Sequence, residues 1–313
     1  MNTKKTVPED ETLNREFQLP PVLRNEKGDY RKIGFEIEFS GVSSSKVAEL
    51  IRSEFGGTIE KKNRYYINIT GSSPGDFTVK IDTSFLYEKK YRKLMDLFGL
   101  DLDKFSDDDD IVEKAEEVLE NVFATVVPYE IAAPPVEITN MATIDRVRQL
   151  LNDNRAEGTK VSAYYAFALH INPELPSLTF DCLFDYLKAF LLLYPWLKKV
   201  MAPDYTRRLT TFINPFPDTY SRLALDPEYK PAFDTFIKDY HYHNPDRNRP
   251  LDLYPALAML DESVSKLKGI GNVSKRPTLH FRMPDSRIDQ AGWTLATEWN
   301  NWNYVERLAA SKD

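Results

Sequence analysis

Hydrophobic and polar residues alternate with a period of two along several short segments of the chain, which is the pattern of β-strands that bury one face. The clearest such segment is residues 31–39. Its apolar face would consist of Ile33, Phe35, Ile37 and Phe39. Glu36 and Glu38 would share the other face, about 7 Å apart along the strand. Two carboxylates this close repel each other unless a cation lies between them or one is protonated, although a solvated edge strand would show the same pattern.

The remaining segments give a mixture of short strands and longer helices. Alternation predicts further strands at 58–60, 65–70, 77–81, 126–131, 161–172 and 277–283. Helical periodicity predicts helices at 43–55, 86–123 (interrupted at 106–110), 140–154, 180–194, 229–240, 253–267 and 290–309. The turn at 71–75 between two strands indicates hairpins, so we expect an α+β fold built on a mainly antiparallel sheet.

The predicted domain organisation is simple. Residues 1–28 have little periodicity and many polar residues, which predicts a flexible N-terminal arm. Residues 29–313 would form a single domain, with a mostly helical insertion at about 179–267.

Composition narrows the classes of protein to consider. The 313 residues are 42% hydrophobic and 28% charged, as expected of a globular protein. A net charge of −7 gives no sign of nucleic-acid binding. One cysteine, Cys182, excludes an internal disulfide and fits a reducing compartment. The N-terminus lacks an apolar signal core, and the apolar run at 189–196 is too short to cross a bilayer. We therefore expect a cytoplasmic protein without membrane contact, of undetermined oligomeric state.

Chemistry-bearing side chains recur opposite the apolar faces of the predicted strands. They are Glu36 and Glu38, Lys80 and Asp82, Glu130, His170 and Asn172, and His280 and Arg282. On one sheet face they would bring carboxylates, imidazole and guanidinium together. Carboxylate oxygens suit Mg²⁺, and the fork of arginine suits phosphoryl oxygens. A solvent-facing sheet with mixed charges would alternate in the same way, so spacing alone leaves both interpretations open.

Two other polar clusters have simpler explanations than metal binding. The aspartate run at 106–110 is suited to capping a helix at 111–123, because acidic residues favour helix N-termini. His241 and His243, with Asp246 nearby, are more typical of a polar loop than of a cation site.

Five short motifs in this order resemble those of the amidoligases, relatives of the carboxylate-amine ligases. They are Gly34–Phe39 (GFEIEF), residues 82–84 (DTS), residues 129–135 (YEIAAPP), residues 168–172 (ALHIN) and Phe281–Arg282. Together they extend over residues 31 to 285. The resemblance implies a fold similar to glutamine synthetase and glutamate-cysteine ligase, with a polar concave active face on the antiparallel sheet and helices packed on the other face.

The resemblance also implies an activity and its residues. ATP and Mg²⁺, or Mn²⁺ in its place, would support formation of an acyl phosphate on a carboxylate substrate, which an amine would then convert to an amide. Glu36, Glu38 and Glu130 would bind the metal, and Lys80 would help to bind the nucleotide. His170 would contact a metal or the phosphates, Asp82 would lie near the substrate or amine, and Arg282 would stabilise the transferring phosphoryl group.

The chain departs from the family pattern at three positions. Ala168 stands where the family often has a first histidine of a His-x-His pair, Thr83 follows Asp82 in place of glycine, and His280 stands where glutamate is common. The alternative function is therefore an inactive member of the fold that acts as a ligand-binding or scaffold protein. A hydrolytic metalloenzyme is disfavoured, because no H-E-x-x-H motif is present.

Overall fold

The computed structural model describes residues 16–63, 66–81, 129–158, 167–202 and 214–311. Several sequence predictions lie outside these described residues: Asp82, the helical region 86–123 with its aspartate run, and the first six residues of the strand predicted at 161–172. The fold of the described residues is α+β, as predicted.

The described chain contains nine strands and seven α-helices. The strands are β1 Lys32–Phe39, β2 Thr58–Asn63, β3 Tyr66–Thr70, β4 Phe77–Ile81, β5 Tyr129–Ala132, β6 Val136–Glu137, β7 Leu169–Pro173, β8 Leu251–Asp252 and β9 His280–Phe281. The helices are α1 Ser44–Phe55, α2 Ala142–Asp153, α3 Phe180–Met201, α4 Asp218–Leu225, α5 Phe233–His243, α6 Tyr254–Leu260 and α7 Leu295–Ala310. A short 3₁₀ helix, Glu262–Lys266, follows α6.

The nine described strands form one antiparallel sheet. Its order is β2-β3-β4-β5-β1-β7-β9-β8, and β6 pairs with the start of β1. Every described pairing is antiparallel, which confirms the prediction from the hairpin turns. Strand β1 is central, with β5 on one side and β7 on the other.

The apolar face of the sheet packs against helices. The four apolar residues predicted for β1 are at most 1% exposed. On β9, the Phe281 ring lies 6.0 Å from that of Phe190 in α3 and 4.9 Å from that of Trp302 in α7. The other face of the sheet is therefore the one that carries the polar side chains.

A buried ion pair fixes the start of β1 to helix α7. Arg31 donates to both carboxylate oxygens of Glu306 at 2.8 Å, and both side chains are fully buried. The same carboxylate accepts from Trp302 Nε1 at 2.9 Å and from the Tyr186 hydroxyl, while Arg31 Nε donates to the Glu174 carbonyl at 2.7 Å. These bonds satisfy the buried charges and set where β1 lies on the helices.

Several predicted elements are wrong in extent. The helices predicted at 229–240 and 290–309 begin only at Phe233 and Leu295, and the helix predicted at 180–194 continues to Met201. The strand predicted at 277–283 contains only β9, because Thr278 forms an isolated bridge and Pro284 lacks an amide donor. The helix predicted at 253–267 ends at Leu260, since the Asp261 carboxylate accepts from the Ser263 amide at 2.8 Å and starts a 3₁₀ helix instead. Within the described residues, the strand predicted at 161–172 begins only at Leu169.

Other elements were not predicted at all. Helix α4 and strands β6 and β8 are too short for a periodic signal. Helix α5 was predicted, but it continues through His243, where a polar loop was expected. Among the described residues, no helix is long and apolar enough to cross a membrane.

Candidate active site

The register of the sheet arranges its polar side chains in neighbouring rows. In the first row, Lys80 of β4 stands opposite Glu130 of β5, and Glu130 stands opposite Glu38 of β1. Lys80 Nζ lies 3.3 Å from Glu130 Oε1. In the next row, Glu36 of β1 stands opposite His170 of β7. The alternation predicted from the sequence therefore places these five side chains on one face.

Glu36 is the centre of the contacts on this face. Its Oε1 accepts from Asn172 Nδ2 at 3.1 Å, with an Arg276 guanidinium nitrogen 3.9 Å away. Its Oε2 lies 3.1 Å from His170 Nδ1 and 3.8 Å from His280 Nε2. One carboxylate oxygen is thus held by an amide, while the other faces two imidazoles.

The second imidazole is held from behind by an acidic residue of β8. His280 Nδ1 lies 3.5 Å from Asp252 Oδ2, and that oxygen accepts from Arg247 Nε at 2.8 Å. Asp252 is fully buried, and His280 is 6% exposed. The His170 and His280 rings meet edge to face, with centroids 4.8 Å apart.

Burial determines the protonation of this cluster. Burial lowers the pKa of His170 to about 3 and also lowers the pKa of His280, because both rings are removed from water. Burial opposes ionisation of Glu36, but the hydrogen bond to His170, with His280 and Arg276 nearby, holds the pKa of Glu36 well below its ordinary value. At neutral pH the cluster therefore presents a carboxylate and two neutral imidazoles, whose lone pairs can bind a metal.

Glu38 and Arg282 complete the face. Glu38 Oε2 accepts from the Ala168 amide at 2.7 Å, and its Oε1 lies 3.9 Å from His170 Nε2. Arg282 donates to the Arg247 carbonyl at 2.8 Å. Its positive charge is close enough to contribute to the lowered pKa of both histidines.

A cavity of about 720 Å³ adjoins Glu36 and Asn172 at this end of the sheet. One wall is a short hairpin at residues 24–30, in which the Arg24 guanidinium stacks 4.1 Å from the Tyr30 ring centroid. Lys32 and Arg276 also line the cavity, and Gly34 leaves its floor open. This space is large enough for a small-molecule substrate, and its lining has side chains of both charges, three cationic and four acidic.

Most of the predicted site residues therefore share one face. Glu36, Glu38, Glu130, His170 and Lys80 lie on the polar rows, the charge of Arg282 lies near both histidines, and Asp82 lies outside the described residues. The closest group of donor atoms, however, is Glu36 with His170 and His280, and not the three glutamates.

Sequence reasoning placed His280 on the polar face, from its alternation with Phe281, but gave it no role as a ligand. It missed two other contributors altogether. Asp252 belongs to a strand too short to predict, and Arg276 lies in a loop with no pattern. His241 and His243 pack on Tyr254 and Tyr220 instead of joining a metal cluster among the described residues.

Comparison with models of protein families matches residues 29–304 to the family described as "Putative amidoligase enzyme". The match covers nearly the whole chain, including every strand of the sheet. No curated protein and no solved structure matches the chain.

Proposed function

The chain belongs to the amidoligase family, and from this premise we propose that it is an ATP- and Mg²⁺-dependent ligase that joins a carboxylate to an amine. ATP would phosphorylate the carboxylate to an acyl phosphate, and the amine would displace phosphate to form an amide. The observation that carries the proposal is the shared face of Glu36, Glu38, Glu130 and His170, with the charge of Arg282 close to His170.

The donor set of the first row fits Mg²⁺. Glu38 and Glu130 are direct register partners on neighbouring strands, so their carboxylates face the same space. Mg²⁺ prefers oxygen ligands and commonly uses one or two carboxylates together with substrate phosphates. When bound there, it would neutralise charge on the phosphates of ATP. Lys80, 3.3 Å from Glu130, would add a positive charge to the same row.

Arg282 and the cavity would supply the remaining contacts. Its guanidinium, anchored on the Arg247 carbonyl, would stabilise charge on the transferring phosphoryl group. Lys32 and Arg276 line the cavity beside Glu36 and would bind anionic groups of the nucleotide or of the acid. Asp82 remains a candidate for the substrate or amine side of the site, by resemblance alone.

The proposal is tested by calorimetric titration of ATP with and without Mg²⁺. We expect Mg²⁺-dependent binding by the wild type, and weaker or absent binding by Glu130→Gln and Arg282→Ala. Acids and amines are then screened for ADP release, with amide formation followed by mass spectrometry. Arg282→Ala should lower the rate of ADP release more than it lowers ATP affinity, because its contact strengthens as charge develops.

Glu262→Gln is a suitable control, since Glu262 is exposed in its pair with Lys275 and does not line the cavity. It should bind ATP as the wild type does. Absence of nucleotide binding by a folded wild-type protein would contradict the proposal.

A further inference from the structure

Glu36, His170 and His280 form a compact group of metal-ligating side chains from three strands. One donor atom from each lies within 4.8 Å of the other two, and no other such group occurs among the described residues. A metal with bonds of 2.0–2.1 Å separates neighbouring donor atoms by about 3.0–3.4 Å. The distances of 3.1 and 3.8 Å from Glu36 Oε2 to the two rings are close to this range.

The orientation of Glu36 directs a single oxygen at the histidines. Asn172 Nδ2 donates to Glu36 Oε1, and an Arg276 guanidinium nitrogen lies 3.9 Å from the same oxygen. The other oxygen, Oε2, faces both imidazole rings. A carboxylate held in this way would act as a monodentate ligand. Its orientation comes from the protein and does not depend on a metal.

Each histidine also has a carboxylate near the ring nitrogen that faces away from Glu36. For His280 this is Asp252, 3.5 Å from Nδ1, and for His170 it is Glu38, 3.9 Å from Nε2. Metal-bound histidines usually direct their other ring nitrogen at such an acceptor, which fixes the tautomer and strengthens the ligand. The arrangement therefore resembles a metal site with its supporting shell.

His280 provides an independent observation. The ring is 6% exposed, Nδ1 has only the long 3.5 Å contact with Asp252, and Nε2 forms no hydrogen bond within the protein. Leaving a buried polar atom unsatisfied is unfavourable. A ligand at Nε2, between His280 and Glu36, would satisfy it.

We propose that Glu36, His170 and His280 bind a transition-metal dication, such as Mn²⁺, Co²⁺ or Zn²⁺, in preference to Mg²⁺. Imidazole nitrogen suits these metals, whereas Mg²⁺ selects oxygen ligands. Two histidines and one carboxylate leave coordination positions open for water or another ligand. The proposal concerns the same sheet face as the proposed ligase site but does not rest on the ligase function, because metal binding is measured without nucleotide or substrate.

Co²⁺ is the probe of choice, since its visible spectrum reports the coordination number. We expect one equivalent of Co²⁺ to bind the metal-free wild type, and excess Mg²⁺ not to displace it. Proton NMR of the Co²⁺ form should show two shifted, exchangeable imidazole N–H signals. His280→Gln should lose one of them and bind Co²⁺ at least about tenfold more weakly, while His280→Glu should move the preference toward Mg²⁺.

The chain has only four histidines, so a complete control is available. The double variant His241→Gln/His243→Gln removes the other two and should bind Co²⁺ as the wild type does. The proposal is wrong if the folded wild type does not bind Co²⁺, or if an equal concentration of Mg²⁺ displaces the bound Co²⁺. Neither result requires a variant. Loss of binding only in the double variant would overturn the proposal equally. Metal binding without ATP binding would leave this inference standing and count against the ligase.

Discussion

Glu38 and Glu130 stand directly opposite each other on neighbouring strands, with Lys80 on the far side of Glu130. Like charges placed directly opposite destabilise a sheet. Lys80 Nζ, 3.3 Å from Glu130 Oε1, offsets part of that repulsion. In the proposed ligase, the same two carboxylates would hold Mg²⁺, so lysine and metal would compete for neighbouring oxygens.

This relationship predicts the effect of Lys80→Met. We expect the free energy of unfolding without Mg²⁺ to fall by about 1 kcal/mol, because the carboxylate repulsion loses its counter-charge. Mg²⁺ should restore more stability to this variant than to the wild type. Thermal unfolding over a series of Mg²⁺ concentrations measures both effects.

Lys61→Met is the matched control, since Lys61 lies exposed on β2 of the same sheet. Its response to Mg²⁺ should equal that of the wild type. Identical Mg²⁺ responses in the Lys80 and Lys61 variants would show that Lys80 does not oppose a cation.

The Arg31–Glu306 pair predicts a much larger loss of stability. Glu306→Gln leaves the fully buried guanidinium of Arg31 without its counter-charge, and breaking a buried pair costs about 3–5 kcal/mol. Urea denaturation measures the change. Glu49→Gln, which breaks the exposed pair with Arg52, should change the free energy of unfolding by less than about 0.5 kcal/mol. A similar change in the free energy of unfolding for the two variants would contradict the claim that burial makes the Arg31–Glu306 pair costly to break.

The sheet could be predicted where periodicity was long. The alternation of 31–39 predicted β1 to within one residue. Ser43 is the N-cap and Gly56 the C-cap of α1, as their capping preferences predict. Strands β6 and β8 contain two residues each, so they depend on pairing with neighbours and leave no local pattern. Strand β9 is equally short, but alternation predicted a strand there and only its extent was wrong. Helix α5 passes His241, where polar composition suggested a loop, because Tyr240 and Phe236 pack its buried face.

The candidate site was predictable only in part, for the same reason. Glu36, Glu38, Glu130 and His170 stand on strands whose alternation fixes which face they share. The grouping of Glu36 with the two histidines, instead of with Glu130, depends on the strand order β5-β1-β7-β9. Long-range pairing sets that order. Asp252 reaches His280 through the pairing of β8 with β9, for which the sequence carries no local signal.

Glu298 predicts a pH-dependent contribution to stability. Burial raises the pKa of this carboxyl group above its ordinary value of 4.5, so the folded protein holds the proton more tightly than the unfolded chain. The contribution of this group to the free energy of unfolding is therefore complete at low pH, and it is lost as the pH rises above about 4.5. Glu298→Gln should raise the free energy of unfolding at pH 7, because it keeps an acceptor for Trp293 Nε1 without the buried charge.

The gain in Glu298→Gln should shrink at pH 4, where the wild-type carboxyl group is neutral as well. Urea denaturation at both pH values measures the difference. Glu262→Gln, at an exposed carboxyl group, should show no gain at pH 7. A gain at Glu298 that is equal at pH 4 and pH 7 would contradict the titration as its cause.

Gly34 allows the cavity to be tested at a residue that is not itself a proposed metal ligand. Its backbone does not require glycine, and an added Cβ would meet Asn172 Cβ at 3.6 Å, an ordinary contact. Gly34→Ala should therefore fold normally and bind ATP nearly as the wild type does. Gly34→Leu would extend into the cavity and should weaken ATP binding at least about tenfold, a loss of about 1.4 kcal/mol.

Calorimetry measures affinity, and urea denaturation checks the fold. Thr58→Leu, on exposed β2, controls for added apolar surface. ATP binding by Gly34→Leu at wild-type strength would place the nucleotide outside this cavity.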